Sequence, residues 1–321
     1  MDIHNLRKHF YRKTESSKVI KIIYYFLHQL RIKFYRFYSN EVYAKQMYRR
    51  EVGKTLNLNN PATFDEKMWW LKFNYHNPLM TQCADKFKVR EYVKNCGYED
   101  ILNKMYLGGV TDPNLINYEA LPSVFYIKTN HGCGGNICVN KKYGYDKKHI
   151  SKMLENSMKN NYFYESREWP YKDIKPCIII EEFIDSGNKP LLDYRFLCFS
   201  GKFKYLFVDY DTADKSGHHK IGAKRNVYNR DYELLPYRVS RDNFNNTIAP
   251  KPLNYEKMIE IAETLAKPFP FVRVDLYNID GKIIFGEMTF FHAGALNKIE
   301  PHEFDLELGK LININDLSDK L

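Results

Sequence analysis

Phe271-Val-Arg-Val-Asp-Leu-Tyr-Asn-Ile-Asp-Gly-Lys-Ile-Ile-Phe-Gly-Glu-Met-Thr-Phe290 reads as two alternating strands joined by a tight turn. In the first run Arg273, Asp275 and Tyr277 share one face, and Val272, Val274 and Leu276 share the other. Asp280-Gly281 predicts a hairpin, because glycine readily takes the positive φ that such a turn demands. The returning run puts Phe285, Glu287 and Thr289 on one face, so Glu287 comes opposite or diagonal to Asp275, within about 5–8 Å. Two carboxylates held that close repel each other unless a cation lies between them. Oxygen-only ligands suit Mg²⁺ or Mn²⁺. Arg273, on the same face as Asp275, is placed to clamp a phosphate that such a metal also touches.

A chain of 321 residues can form one large or two medium domains with a proper core. With 26 Tyr, 21 Phe and 27% charged residues it carries no signature of disorder. Its net charge of +10 favours polyanionic partners: nucleotide phosphates, acidic glycans, nucleic acid or an anionic membrane. Basic residues run along the whole chain and form no recognised nucleic-acid module, so no nucleic-acid partner is expected. The six cysteines form no C-x-x-C pair and no zinc spacing, and read as buried free thiols of a reducing cytoplasm. Asp2 and the lack of a continuous apolar run after it argue against a signal peptide. The stretch Lys18–Tyr38 is apolar but interrupted by Lys21, Arg31, Lys33 and Arg36, which is too charged to span a bilayer. It reads either as a helix packed on the protein body or as a basic, aromatic helix lying on the anionic inner face of the membrane.

Residues 1–50 read as a basic helical extension and residues 51–110 as short helices. Thr63-Phe-Asp-Glu66 is a capping box ahead of a helix over Lys67–Tyr75, and a second helix is expected over Ala84–Asn95. Strands are expected at Ser123–Thr129, Ile137–Asn140 and Cys177–Ile184, with a helix over Lys148–Asn160 between them. Tyr194–Phe199 and Lys202–Asp209 form a hairpin, and Asn254 is expected to cap a helix through about Ala266. Helices interleaved with so many hairpins point to an α+β fold with antiparallel sheets.

Three further constellations carry candidate chemistry. Lys128 ends a strand before the glycine-rich Asn130-His-Gly-Cys-Gly-Gly-Asn136, where Gly132, Gly134 and Gly135 let backbone N–H groups approach phosphate oxygens. A strand follows where a P-loop would have a helix, so the P-loop and dinucleotide-binding readings fail. Glu181 and Glu182 end a β-branched run: they are either solvated acids at a strand end, or neighbours of backbone groups that read an adenine edge, with a nearby acid such as Asp193 for ribose hydroxyls. The loop from Tyr210 to Asp231, with Lys215, His218, His219, Lys220, Lys224 and Arg225, is a solvated loop or a site for an acidic substrate or terminal phosphates. Neither a His218–His219 metal site nor a Cys133 nucleophile has the companions it would need.

A lysine before a Gly-rich hairpin, then Glu-Glu after a β-run, then Arg-x-Asp, then Glu on a returning strand is an order that resembles ATP-grasp enzymes of the D-alanine:D-alanine ligase type. On that resemblance Lys86 and Lys128 hold nucleotide phosphates and Glu181, Glu182 and Ile184 form the adenine linker. Asp193 meets the ribose, and Arg273, Asp275 and Glu287 supply the Arg-x-Asp and metal-bridging acids. From about Leu56 to Gly309 the chain is more specifically similar to the TupA-like family of teichuronopeptide biosynthesis. The stretches that carry this are Asn60-Pro-Ala-Thr-Phe-Asp-Glu-Lys67, Lys128-Thr-Asn-His-Gly132, Tyr164-Glu-Ser-Arg-Glu-Trp-Pro-Tyr171, Phe269-Pro-Phe-Val-Arg-Val-Asp-Leu-Tyr277 and Phe285-Gly-Glu-Met-Thr-Phe290. One departure is Thr289, which stands where the ligase pattern has a metal-binding Asn.

The resemblance implies an ATP-grasp fold in which two α+β subdomains, over residues 111–180 and 181–321, grip ATP between antiparallel sheets. It implies an ATP- and Mg²⁺-dependent carboxylate–amine ligase acting on an acidic glycan or sugar precursor and an amino acid or amine. Arg273 and Lys128 would be catalytic, and Asp275, Glu287 and Thr289 would hold metal. Arg167, Lys224, Arg225 and His292 are candidates for contacting substrate. The competing readings are a sugar-nucleotide glycosyltransferase, for which Asp209-Tyr-Asp211 in a loop is the only Asp-x-Asp, and a basic membrane- or polyanion-binding protein.

Overall fold

The structure, a computed structural model, describes residues 20, 23, 27, 30, 31, 34–132, 135–187, 189–210, 212, 222–244 and 248–318. Cys133, Gly134, Asp211, Lys215, His218, His219 and Lys220 lie outside the described residues, with most of the loop between Tyr210 and Asp231.

Helices come first: α1 (Asn40–Glu51), α2 (Phe64–Asn74), α3 (Pro78–Ala84) and α4 (Val89–Asn95). The Thr63 capping box forms as its sequence predicts. Thr63 Oγ1 accepts from the Glu66 N–H at 3.4 Å, and Glu66 Oε2 accepts from the Thr63 N–H at 3.0 Å. The single helix expected over Ala84–Asn95 is instead broken at Asp85. That residue turns extended, and its Oδ1 accepts from the N–H groups of Phe87 (2.9 Å) and Lys88 (3.2 Å). A short acid that satisfies local N–H groups competes with the helical ladder, and here it wins.

The smaller sheet contains β1 (Met105–Val110), β2 (Val124–Thr129), β3 (Ile137–Asn140) and β4 (Ile178–Glu182) in the antiparallel order β1-β4-β2-β3. It therefore reaches a few residues beyond both ends of the 111–180 segment read from the sequence. Its apolar face, with Phe125, Ile127, Val139 and Ile180, packs on Ile150 and Leu154 of α5 (Lys147–Lys159).

The larger sheet is built from β5 (Asp193–Phe199), β6 (Lys202–Tyr210), β7 (Lys224–Tyr228), β8 (Leu234–Leu235), β10 (Phe271–Ile279) and β11 (Lys282–Thr289). Its order is β11-β10-β5-β6-β7-β8. The short β9 (Arg238–Val239) pairs with β12 (Ile299–Glu300), just before α7 (His302–Lys310). Between β9 and β10 runs α6 (Tyr255–Ala266), whose Met258, Ile261, Ala262 and Leu265 are buried in the larger core as its spacing predicts. Asn254 stands at the N-cap as expected, its carbonyl accepting from the Met258 N–H at 3.0 Å, but its side chain does not cap the helix. The residue takes a left-handed conformation and donates its amide to the carbonyl of Gly281 at 2.9 Å, tying the helix start to the hairpin turn.

That turn has positive φ at both Asp280 (49°) and Gly281 (93°), as a two-residue Asp-Gly hairpin requires. From it the strands pair Ile279↔Lys282 through Leu276↔Phe285, and simple continuation would set Gly286 opposite Asp275. A bulge intervenes, and Asp275 pairs directly with Glu287. The extra residue moves Phe285 to the face of Leu276 and Val274, away from Glu287 and Thr289, which corrects the face assigned by strict alternation. Gly286 is the residue that allows it: a Cβ there would lie 2.9 Å from the Asp275 carbonyl oxygen. Gly286→Ala is therefore expected to cost about 1–3 kcal/mol in urea unfolding, because backbone must shift to relieve the contact. A change under a few tenths would show that the bulge has room to spare.

Candidate active site

Register lines up one polar face across the larger sheet. Asp275 pairs with Glu287 on one side and Arg195 on the other, Asp193 pairs with Asp209, and Asp209 pairs with Arg225. The opposite face carries Val272, Val274, Phe196, Cys198 and Leu206 into the core. Charges on the polar face are packed into ion pairs of high density.

Arg273 is the centre of the hairpin end. Its Nε and Nη2 donate to the two oxygens of Asp275 at 2.7 and 2.6 Å, and Nη2 also reaches Glu287 at 2.9 Å and Thr289 Oγ1 at 3.0 Å. Burial pushes the Asp275 carboxyl up to about 6 against the pull of Arg273 and Arg195. Burial also acts to raise Glu287, but Arg273, Lys86 and Arg195 outweigh it and hold that carboxyl down at about 2. The pair therefore differs in proton affinity although the two acids face each other.

Lys86 joins this hairpin to the smaller sheet. Its Nζ donates to the carbonyl of Gly132 in the glycine-rich loop, and the same side chain lines a small cleft with Glu287, Gly286, Met288 and Tyr171. The loop is pinned at its start by Asn130, which donates to Asp85 at 2.9 Å and accepts from the Cys177 N–H at 2.7 Å. Gly135 sits at φ 71°, a conformation that costs glycine little. On β2, Lys128 donates to Glu181 Oε2 at 2.9 Å, and Arg90 reaches the other Glu181 oxygen at 3.3 Å. Glu182 accepts from the Tyr106 hydroxyl at 3.1 Å, while its backbone N–H and carbonyl are bonded to Lys104 and Asn103. Ile184 follows in the non-regular segment after β4.

Asp193, the expected ribose acid, is buried and accepts from Arg195 Nη2 at 3.1 Å. Its charge, with burial, holds the Tyr277 phenol well above its ordinary value. Arg225 is also buried, with Nε and Nη2 donating to the two oxygens of Asp209 at 2.6 and 2.7 Å. Lys224, beside it, lies 3.7 Å from Asp242 at the sheet margin. His292 stands between two arginines, its Nδ1 2.6 Å from Arg273 Nη1 and its Nε2 2.9 Å from Arg225 Nη1. Burial and the surrounding guanidinium groups keep this ring neutral. A neutral imidazole accepts through one nitrogen only, so one of the two guanidinium N–H groups is left facing another N–H. Arg167 is not brought into this cluster. Its Nη2 donates to the carbonyls of Tyr35 and of Tyr38, the latter at 3.3 Å.

Several members of the site went unread in the sequence. Arg195 follows Asp193 by two residues and shares its face, a signal that was available. Asp209 lies on β6, not in a loop, with no exposed surface, and binds Arg195 (3.1 Å), Arg225 and Arg241 (2.6 Å) together. Lys72 and Glu168, both buried, come from α2 and the Trp169 turn. Lys72 donates to the carbonyls of Ser166 (2.9 Å) and Gly294 (2.7 Å), and burial lifts Glu168 toward its neutral form. Nothing local marks Lys72, whereas Glu168 lies in the Tyr164–Tyr171 stretch that carries the family resemblance, where the sequence reading gives it no role.

The sequence matches the family model described as TupA-like ATPgrasp over residues 66–313. The chain belongs to the TupA-like ATP-grasp family. The α+β fold, with its two antiparallel sheets and N-terminal helices, is the ATP-grasp fold. Among curated proteins none matches. Among solved structures, this TupA-like chain is similar to D-alanine–D-alanine ligase from Bacillus anthracis complexed with ATP, at 19% identity and TM-score 0.37, covering 65% of this chain and 55% of that one. It is similar to L-amino acid ligase from Bacillus licheniformis at 16% identity and TM-score 0.44, covering 81% and 57%. D-alanine–D-alanine ligase from Helicobacter pylori matches at 15% identity and TM-score 0.39, covering 79% and 70%.

Proposed function

We propose that this TupA-like protein is an ATP-dependent carboxylate–amine ligase that modifies an acidic cell-surface glycan or its precursor. The observation that carries the reading is the direct pairing of Asp275 with Glu287 beneath the Arg273 guanidinium, with Lys86 reaching from that hairpin to the glycine-rich loop. A carboxylate oxygen of the substrate attacks the γ-phosphorus of ATP and ADP leaves. The amine then attacks the acyl carbon, inorganic phosphate leaves, the nitrogen loses a proton, and an amide remains. Lys86, Lys128 and the loop glycines hold phosphate oxygens, and Arg273 stabilises the oxyanion of the tetrahedral adduct. No protein nucleophile is required.

The donor set suits a hard divalent cation. Asp275, Glu287 and Thr289 offer only oxygen, and among the described residues no hydrogen bond reaches Glu287 Oε2. Among the same residues no group of three or more His, Cys, Asp or Glu is placed to hold a metal ion, so an ion here would need further oxygen ligands from phosphate and water. Bound Mg²⁺ or Mn²⁺ would supply charge neutralisation to the phosphates. The free thiols Cys83, Cys177 and Cys198 suit a reducing, ATP-containing cytoplasm.

Glycosyl transfer has less support, since three arginines close on Asp209, whereas Glu287 keeps one carboxylate oxygen clear of hydrogen bonds among the described residues. ATP with Mg²⁺ is expected to raise the melting temperature, and Asp275→Asn or Glu287→Gln to remove most of that rise, because each variant halves the charge facing the cation. An equal rise in wild type and both variants would sink the metal assignment. A rise with sugar nucleotides alone would favour the transferase.

A further inference from the structure

Although basic residues run along the whole chain, the net charge does not. Residues 1–38 hold nine Lys and Arg against Asp2 and Glu15, an excess of seven in a chain whose total is +10. Ile20, Ile23, Leu27, Leu30, Arg31, Phe34 and Tyr35 are helical. At about 100° per residue, positions 23, 27, 30 and 34 fall on one stripe of the helix surface. Three of its side chains are open to solvent, Ile23 at 48%, Leu27 at 57% and Phe34 at 64%, with Leu30 half-buried among them, and Phe37, just beyond, is 86% exposed.

The next position round the helix is held against the protein. Tyr35 is buried, its hydroxyl accepts from Arg50 Nη1 at 2.7 Å, and its carbonyl accepts from Arg167. Arg36 lies 4.4 Å over the Tyr164 ring, and the Tyr43 hydroxyl donates to the Glu165 carbonyl. The helix end is thus fixed to the segment 163–168, which leads into Glu168 beside the catalytic cluster. An exposed apolar stripe within a segment of concentrated positive charge fits a surface that is apolar beneath and anionic at its face.

We propose that this N-terminal segment docks the protein on anionic lipid bilayers, with Ile23, Leu27, Phe34 and Phe37 entering the headgroup–acyl boundary and the Lys and Arg excess meeting the lipid phosphates. Lys21, Arg31, Lys33 and Arg36 make this stretch too charged to span a bilayer, so the attachment proposed is peripheral. The proposal does not rest on the ligase reading, and its test needs neither nucleotide nor substrate.

The test is co-sedimentation of the full chain with vesicles of phosphatidylcholine alone and of phosphatidylcholine with phosphatidylglycerol, at low and high salt. Binding is expected on the anionic vesicles only, weakening with salt as exposed charges are screened. Phe34→Ser with Phe37→Ser should lower partitioning about tenfold or more, since burying one such side chain is typically worth at least one decade in affinity. Ile23→Ser with Leu27→Ser should do the same independently. All four side chains are exposed, so an unchanged melting temperature is expected for both pairs. Equal retention on neutral vesicles, no retention on either, or retention that both variants leave intact would overturn the proposal. So would a dimer in light scattering that the Phe34/Phe37 variant dissociates, with no vesicle binding, because the stripe would then be an interface between copies.

Discussion

Replacing Arg273 with lysine is expected to lower turnover about 10²–10³-fold, the usual loss when one preorganised oxyanion donor is removed. Arg273 reaches both Asp275 oxygens, Glu287, Thr289 and the His292 ring from one planar group. A lysine ammonium is a mobile point charge and cannot hold those directions at once. Both side chains carry +1, so ATP affinity should stay within a few-fold of wild type while the step that builds negative charge on the acyl oxygen slows. ADP release measured with a uronic-acid oligosaccharide and an amino-acid mixture, beside nucleotide titrations, separates the two effects. A variant that turns over like wild type would remove Arg273 from the chemistry and leave it a structural member of the sheet.

Asp209→Asn is expected to give the largest loss of stability, about 3–5 kcal/mol at pH 7, because it leaves buried arginines without their shared counter-charge. Arg195, Arg225 and Arg241 all close on this one carboxylate. Burial alone would raise its proton affinity, but the three guanidinium groups hold it far below the usual carboxylate range. A depressed native value means that the stabilisation is fully present above the unfolded value of about 4 and is lost as pH falls below it. The gap between wild type and variant in urea unfolding should therefore be widest at neutral pH and narrow below about pH 4. A small gap at pH 7, or one that grows in acid, would show that the arginines find other partners.

What could be read in the chain were the features set by neighbours in sequence. The Thr63 capping box needs only residues three apart, and the Asp280-Gly281 turn needs only two residues that accept positive φ. Strand alternation placed Arg273 and Asp275 on one face, and the motif order from Lys128 to Glu287 pointed to the family that the match over residues 66–313 bears out. The same local logic misplaced Phe285, because the bulge at Gly286 depends on how two strands close together.

The buried arginine network was decided in three dimensions. Asp209 meets Arg241 across 32 residues, and Arg225 meets His292 across 67, with no local pattern to announce either pairing. Arg167 reads from the sequence as a candidate for contacting substrate, yet it is buried. Its partner is the Tyr35 carbonyl, 132 positions earlier. The physical reason is common to all of these. Local conformation follows from steric and hydrogen-bond preferences of adjacent residues, whereas the pairing of charges depends on which segments burial brings together, and burial is what makes each pairing strong.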